Sequence, residues 1–321
     1  MMIEALKEKL KHRIITVTLC PNFDRTLWVK NFEAGATFLA TSSDTMAAGK
    51  GVNVSRALIN FNIDSIATGL LPRGGASDYI RLLEKEGINH NFQLTSGKVR
   101  INTTIISGMT IETHIRERGS RLAVSALTAF KKKMLKLINK NTIVVFSGRL
   151  PEGFPDTTYF DLVTEVKKQD CLAFLDVSGA SLQKALAAKP FYIKPNLYEV
   201  QDALGYFPAK DADLIRAVGE FHNIGIQHIV ISRGKDGILY SDGEEMLAAK
   251  MQISRSINTV GSGDATVAGS VVGILSGLDN RKKTALACAC GAANTLLSGA
   301  GRFQPSDVTR LFKRVEVSPV S

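Results

Sequence analysis

Compact apolar runs alternate with amphipathic stretches along most of this chain. Residues 14–19, 65–71, 142–147, 172–176, 191–194 and 228–232 are short, apolar and rich in β-branched or aromatic side chains. Such runs read as buried strands. Residues 51–62, 76–86, 156–168, 179–187, 197–204 and 212–223 carry helical spacing between them. A further strand is expected over 237–241, and three helical stretches follow Asp264. Apolar strands that alternate with helices predict a mostly parallel sheet covered by helices on both faces.

Two regions break this rhythm. Residues 22–40, with a strand at 23–29, and residues 99–116 are strand-rich without intervening helices. In the second, Val99, Ile101, Thr103 and Ile105 alternate with Arg100, Asn102 and Thr104. Period-two alternation puts the two sets on opposite faces. The expectation is a small antiparallel sheet beside the main body, with a half-polar face suited to cover a site. No repeat or Pro/Gly/Ser linker divides the 321 residues. A single domain over 1–321 is therefore expected, its lid drawn from about 22–46 and 98–118.

Composition narrows the class. Apolar residues make up 45% of the chain and charged ones 22%, so a large core can form. No apolar run reaches the ~18–20 residues of a membrane span. Lys7, Glu8, Lys9 and Lys11 interrupt the N-terminus where a secretory leader would be apolar, so a cytoplasmic protein is expected. The four cysteines form no CxxC and the five histidines no HExxH, which favours buried thiols over a metal site. The net charge of +10 suits a polyanion or a phosphorylated small molecule. Its densest run is Lys131, Lys132, Lys133, Lys136 and Lys140, on an amphipathic helix that reads as a solvated face.

The candidate chemistry lies in four segments. In Asn258-Thr259-Val260-Gly261-Ser262-Gly263-Asp264 a small-residue loop enters a long apolar helix. Backbone N–H groups of such a loop can converge on an anion. Asp264 can serve there as a helix cap or as a base that takes a proton from a hydroxyl. Gly49-Lys50-Gly51-Val52-Asn53 opens a second helix and is not a P-loop. Lys194-Pro195-Asn196 with Glu199 follows a strand; Asn196 and Glu199 have capping-box spacing, at a strand end where ligands of parallel sheets bind. Ser232 to Gly237, including Gly234, is a glycine-rich turn after a strand and reads alone as a hairpin.

In order and spacing these segments resemble the PfkB, ribokinase-like sugar kinases over about residues 14–312. Arg100-Ile101-Asn102, Ser147-Gly148, Asp176-Val177-Ser178-Gly179 and Ala292-Ala293-Asn294 add to the resemblance. It extends to the hexose-phosphate kinases acting on fructose 1-phosphate, tagatose 6-phosphate or fructose 6-phosphate. The resemblance implies a three-layer α/β sandwich with a β-lid, and ATP-dependent phosphorylation of a ketohexose phosphate with Mg²⁺. Fructose 1-phosphate, giving the 1,6-bisphosphate, is the expected acceptor. The rivals are the other two sugar phosphates and a non-catalytic protein that binds sugar phosphate or nucleic acid. The resemblance casts Asp264 as the base and Gly261, Ser262 and Gly263 as the anion hole. Asp24, Gly49, Lys50, Asn53, Arg100 and Asn102 would hold the sugar phosphate. Lys194, Asn196, Ser232, Gly234, Gly237 and Asn294 would serve ATP, and Glu199 the Mg²⁺ indirectly. No nucleic acid or membrane partner is expected, and a homodimer would form through the lid. Asn62 stands where a glycine is usual, and Arg73, Arg116 and Arg149 are departures that would remodel the sugar pocket.

Overall fold

The computed structural model describes residues 6, 8, 10–108, 111–253 and 256–320. Residues 1–5, 7 and 9 of the charged N-terminal segment lie outside the described residues. The larger sheet is built on β1 (Arg13–Thr18), β4 (Ile66–Gly74), β5 (Gln93–Lys98), β8 (Thr142–Ser147), β9 (Leu172–Asp176), β10 (Tyr192–Ile193) and β11 (His228–Ser232). These run parallel in the order β11-β10-β9-β8-β1-β4-β5. Antiparallel β12 (Ile238–Ser241), β13 (Met246–Lys250) and β14 (Glu316–Pro319) extend the β11 edge. The hairpin reading of residues 232–237 matches the β11–β12 turn.

Parallel strands are buried on both faces, and β8 is buried along its whole length. Ile143 and Val145 enter one core with α1 (Lys50–Ile59), α8 (Ser262–Leu275), α9 (Asn280–Asn294) and α10 (Pro305–Phe312). Val144 and Phe146 enter the opposite core with α3 (Val124–Leu137), α4 (Thr158–Lys167), α5 (Ala180–Leu186) and α7 (Asp211–Ile224). Each fully buried aliphatic or aromatic side chain is worth about 1.5–3 kcal/mol, so the two layers clamp the sheet. Helices α8 and α9 approach closely because Gly269 faces Ala287 and Cys290: an added Cβ would lie 2.8 Å from Cys290 Sγ. Asn62 does adopt the left-handed conformation, with φ 55°.

The smaller sheet has the order β3-β2-β6-β7, from β2 (Asn22–Val29), β3 (Ser42–Ala48), β6 (Arg100–Ser107) and β7 (Ile111–Arg116). It is mixed rather than antiparallel, because β2 pairs with β6 in parallel while the outer pairs are antiparallel. A crossover through the main sheet separates β2 from β6 in sequence, and the alternation of a single strand carries no sign of partner direction. Strands β13 and β14 also lie outside the expected elements. Their sequences, MLAAK and EVSP, have little intrinsic strand preference; the pairing is imposed by the neighbouring edge. Helix α2 (Ala76–Lys85) packs beneath the small sheet, where Tyr79 donates to the Ala48 carbonyl at 2.7 Å.

Candidate active site

A cavity of about 700 Å³ opens at the C-terminal ends of the parallel strands, walled on one side by β2, β6 and β7. The Gly49-Lys50-Gly51 segment owes its glycines to β1. A Cβ at Gly49, where φ is 136°, would lie 2.5 Å from Thr18 Cγ2, and one at Gly51 2.6 Å from the Val17 carbonyl oxygen. Only a bare backbone lets α1 start this close to the strand. Thr18 Oγ1 then accepts the Val52 N–H at 3.1 Å. The result places Lys50 and Asn53 on the cavity floor.

Asp176, fully buried at the end of β9, sits between two lysines. Lys50 Nζ lies 2.8 Å from Oδ2 and Lys194 Nζ 3.2 Å from Oδ1. Lys50 Nζ also donates to the Asp176 backbone carbonyl at 3.5 Å. Burial works against the Lys50 charge, but Asp176, Asp264 and Glu199 outweigh it and raise its pKa. Burial would lift the Asp176 carboxyl, yet Lys194 and Lys50 hold it below the usual value.

Asp264 is buried at the third position of α8. It does not cap the helix: Gly261 is the N-cap residue, and the first turn receives no side-chain cap. The carboxylate turns instead to Asn53, whose Nδ2 donates to Oδ2 at 2.8 Å. Burial, with Asp176 adding, pushes its pKa up to about 6 against the pull of Lys50, Asn53 and Lys194. Beside it, among the described residues, the amides of Gly261, Gly263 and Asp264 find no acceptor in the chain. Ser262 N–H donates to the Thr259 carbonyl at 3.3 Å. A Cβ at Gly263 would come within 3.2 Å of Lys194 Nζ, so the bare loop and the lysine face one space. Unpaired helix-terminal donors beside a cation form an anion site.

Asn196 caps α6 (Leu197–Leu204) in a full capping box. Its Oδ1 accepts from Tyr198 and Glu199 amides at 2.9 and 3.0 Å, and Glu199 Oε2 accepts its N–H at 2.9 Å. Burial and the nearby Asp176 raise the Glu199 pKa. On the small sheet, Asp24 Oδ1 accepts from Asn22 Nδ2 at 2.6 Å and Asn102 Nδ2 at 3.2 Å. Arg100 Nη1 and Nη2 donate to Asn102 Oδ1 at 3.0 Å and Asn22 Oδ1 at 3.2 Å, leaving its buried Nε without a partner. Burial raises the Asp24 carboxyl and lowers Arg100, whose neighbour Arg149 adds to its fall.

Residues 14–307 match the family model described as pfkB family carbohydrate kinase. The chain is a PfkB family carbohydrate kinase. A tagatose-6-phosphate kinase of Staphylococcus epidermidis is 32% identical over 312 residues, covering 96% of this chain and all of that protein. A 1-phosphofructokinase of Borreliella burgdorferi is 30% identical, covering 96% and 99%. Phosphofructokinase-2 of Escherichia coli, solved in complex with potassium, shares the fold with a TM-score of 0.90 at 23% identity, over 94% of this chain and 99% of that one. The ribokinase-like α/β architecture expected from the motifs is thus present.

The fold of this PfkB chain brings Asp24, Gly49, Lys50, Asn53, Arg100, Asn102, Lys194, Asn196, Glu199, Ser232, Gly261, Gly263 and Asp264 to the one cavity. Four expected residues stand off its wall. Ser262 Oγ accepts from Asn294 Nδ2 at 3.3 Å, and Asn294 is fully buried, donating also to the Val260 carbonyl and accepting the Gly301 N–H. These two brace the anion loop from behind. Gly237 closes the hairpin where a side chain would collide with the Ala249 carbonyl, and Gly234 has open space around it. Arg116 and Arg149 line the cavity, whereas Arg73 is exposed on β4 away from it. Sequence reasoning gave no role to Asn22, Asp176 or Arg56. Asp176 stands 126 positions from Lys50, a distance no local pattern spans. Arg56 carried a readable signal: a cation in the body of a helix, flanked there by small and apolar residues.

Proposed function

We propose that this protein transfers the γ-phosphoryl of ATP to a ketohexose phosphate, with fructose 1-phosphate as the preferred acceptor. The observation that carries the reading is the buried Asp264 carboxylate, held by Asn53 beside three unpaired amides and Lys194. A carboxylate with a pKa near 6 accepts a hydroxyl proton at neutral pH, while the loop amides and Lys194 stabilise charge on the transferring phosphoryl. A protein that only binds needs no buried, destabilised carboxylate. Arg100, Asn22, Asp24 and Asn102 form the polar clamp for the sugar phosphate, and Arg116 and Arg149 extend its positive end.

The residues also fit a magnesium–nucleotide. Asp176, Glu199 and Asp264 outnumber Lys50 and Lys194 at the phosphoryl end, so an incoming polyphosphate gains from bringing its own cation. Glu199, on the cavity wall, would hold that ion through water. Mg²⁺ bound there would neutralise charge that develops in transfer. A homodimer through the small sheet is part of the same reading: Leu27 and Ile105, paired across β2 and β6, stand on the side turned from Asp24 and Asn102. Sedimentation velocity tests that point.

A coupled assay with ATP against fructose 1-phosphate, tagatose 6-phosphate, fructose 6-phosphate and fructose decides the acceptor. The highest kcat/KM is expected for fructose 1-phosphate and the lowest for free fructose, which would leave the clamp unpaired. A higher kcat/KM for tagatose 6-phosphate would overturn the acceptor and keep the kinase.

A further inference from the structure

The Asn53 amide has two orientations of similar shape and opposite effect. With Nδ2 toward Asp264 it donates to the carboxylate; flipped, it would set a carbonyl oxygen against it. Nothing in Asn53 itself chooses. The choice is made one helical turn away, by Arg56, whose Nη1 donates to Asn53 Oδ1 at 2.9 Å. A guanidinium has no acceptor, so only the oxygen of the amide can face it.

Arg56 is unusually well fixed. Its side chain is only 6% exposed. Nε pairs with Glu86 Oε2 at 2.7 Å, and Nη1 also donates to the Ala300 carbonyl at 3.2 Å. Nη2 donates to the Ala47 carbonyl at the base of β3. Glu86 is shared: its Oε1 pairs with Arg302 Nη2 at 2.7 Å, and Arg302 Nη1 reaches Asp44 Oδ2 at 3.4 Å. Asp44 and Ala47 belong to the small sheet; Ala300 belongs to the loop behind the anion hole. Arg56 lines no part of the cavity, so it touches no substrate.

We propose that Arg56 is a positioning residue that locks the Asn53 amide with its donor toward Asp264, keeping that carboxylate ionised for proton acceptance and tying its state to the seating of β3. The inference rests on Asp264 being the base. The groups that face Asp264 are Lys50 on α1, Asp176 on β9, Lys194 after β10, and Asn53. Those that face Arg56 are Glu86, Asp24 and Tyr79, with Arg302 reaching it through Glu86. Arg56 makes no direct contact with the carboxylate; the amide carries its effect.

The test is the pH dependence of kcat/KM for wild type, Arg56→Met and Glu86→Gln, with ATP and the best acceptor of the screen. Arg56→Met leaves Glu86 paired with Arg302. Its acidic limb should move about one pH unit to higher pH, a loss of about fivefold at pH 6 that approaches about tenfold below pH 5, with the alkaline plateau within about threefold of wild type. Glu86→Gln loosens the guanidinium without removing it and should move the limb the same way by less. It keeps the proposal open to refutation if Arg56→Met does not fold. A limb fixed in place, with rates lowered equally at every pH, would mean that Arg56 only supports the fold and would overturn the proposal. Failure of the base assignment is read separately, from an Asp264→Asn variant that keeps its turnover.

Discussion

The two ends of the cavity are built on opposite terms. At the end proposed for phosphoryl transfer, Asp264, Asn53, Asp176 and Lys194 are buried on the core, and each polar group is held by another. At the end proposed for the acceptor, Arg100 and Asn102 are half-buried on the small sheet, while Arg116 and Arg149 are exposed. Groups that shift protons need a fixed, low-dielectric setting. Groups that choose among sugar phosphates need only reach and charge. On the proposed reading, the reaction is written in the core, and the choice of acceptor in side chains that can change without disturbing it.

Asp264→Asn gives the sharpest break. It should lower kcat by at least about a hundredfold while both substrates bind within a few-fold of wild type. It should also stabilise the fold at neutral pH. The Asp264 carboxyl rises from 3.8 to about 6 on folding, so between those values the folded chain holds the extra proton. Stability from this group falls as pH rises through that window, and the asparagine escapes the fall. A melting temperature above wild type at pH 7.5, converging with it near pH 4, is the expected pattern. In the wild type, kcat/KM should rise with pH up to about 6 and then level.

Arg100→Ala probes the other end. Loss of a charge-assisted clamp costs about 1.5–3 kcal/mol, which should raise KM for the sugar phosphate roughly ten- to hundredfold. KM for ATP should hardly change; an equal rise in both would erase the division between the two ends. Arg149→Ser should have the smallest effect, a few-fold in KM, because the side chain is exposed and its contact to the Glu117 carbonyl spans 3.4 Å. A changed ranking of fructose 1-phosphate and tagatose 6-phosphate in that variant would show where selectivity lies.

The same division explains what could be read from the chain. The loops at 49–53 and 258–264 were legible because close packing against β1 and Ala300 demands glycine there, and glycine leaves a mark in sequence. The parallel core was legible because strands buried on both faces are uniformly apolar. Asp176 was not, since its meaning lies in two lysines from other strand ends. The Asp264 cap was a fair local reading, and it fails because Asn53, 211 positions away, offers a better partner. Strand β3 was hard to place because SSDTMAA has no alternation and a single β-branched residue, Thr45; pairing with β2 makes it a strand.

Strand β3 also grades from exposed at Ser42 to fully buried at Ala47 and Ala48. Its buried end is moored through backbone carbonyls to Tyr79 and Arg56, and toward its exposed end Asp44 pairs with Arg302 at 3.4 Å. A beam clamped at one end bends most at the other. Amide protons along these seven residues should exchange with solvent over a continuous range of rates, slowest at Ala48 and fastest near Ser42. The small sheet is thus built as a cantilever, its root moored against α1 and α2 and its tip exposed.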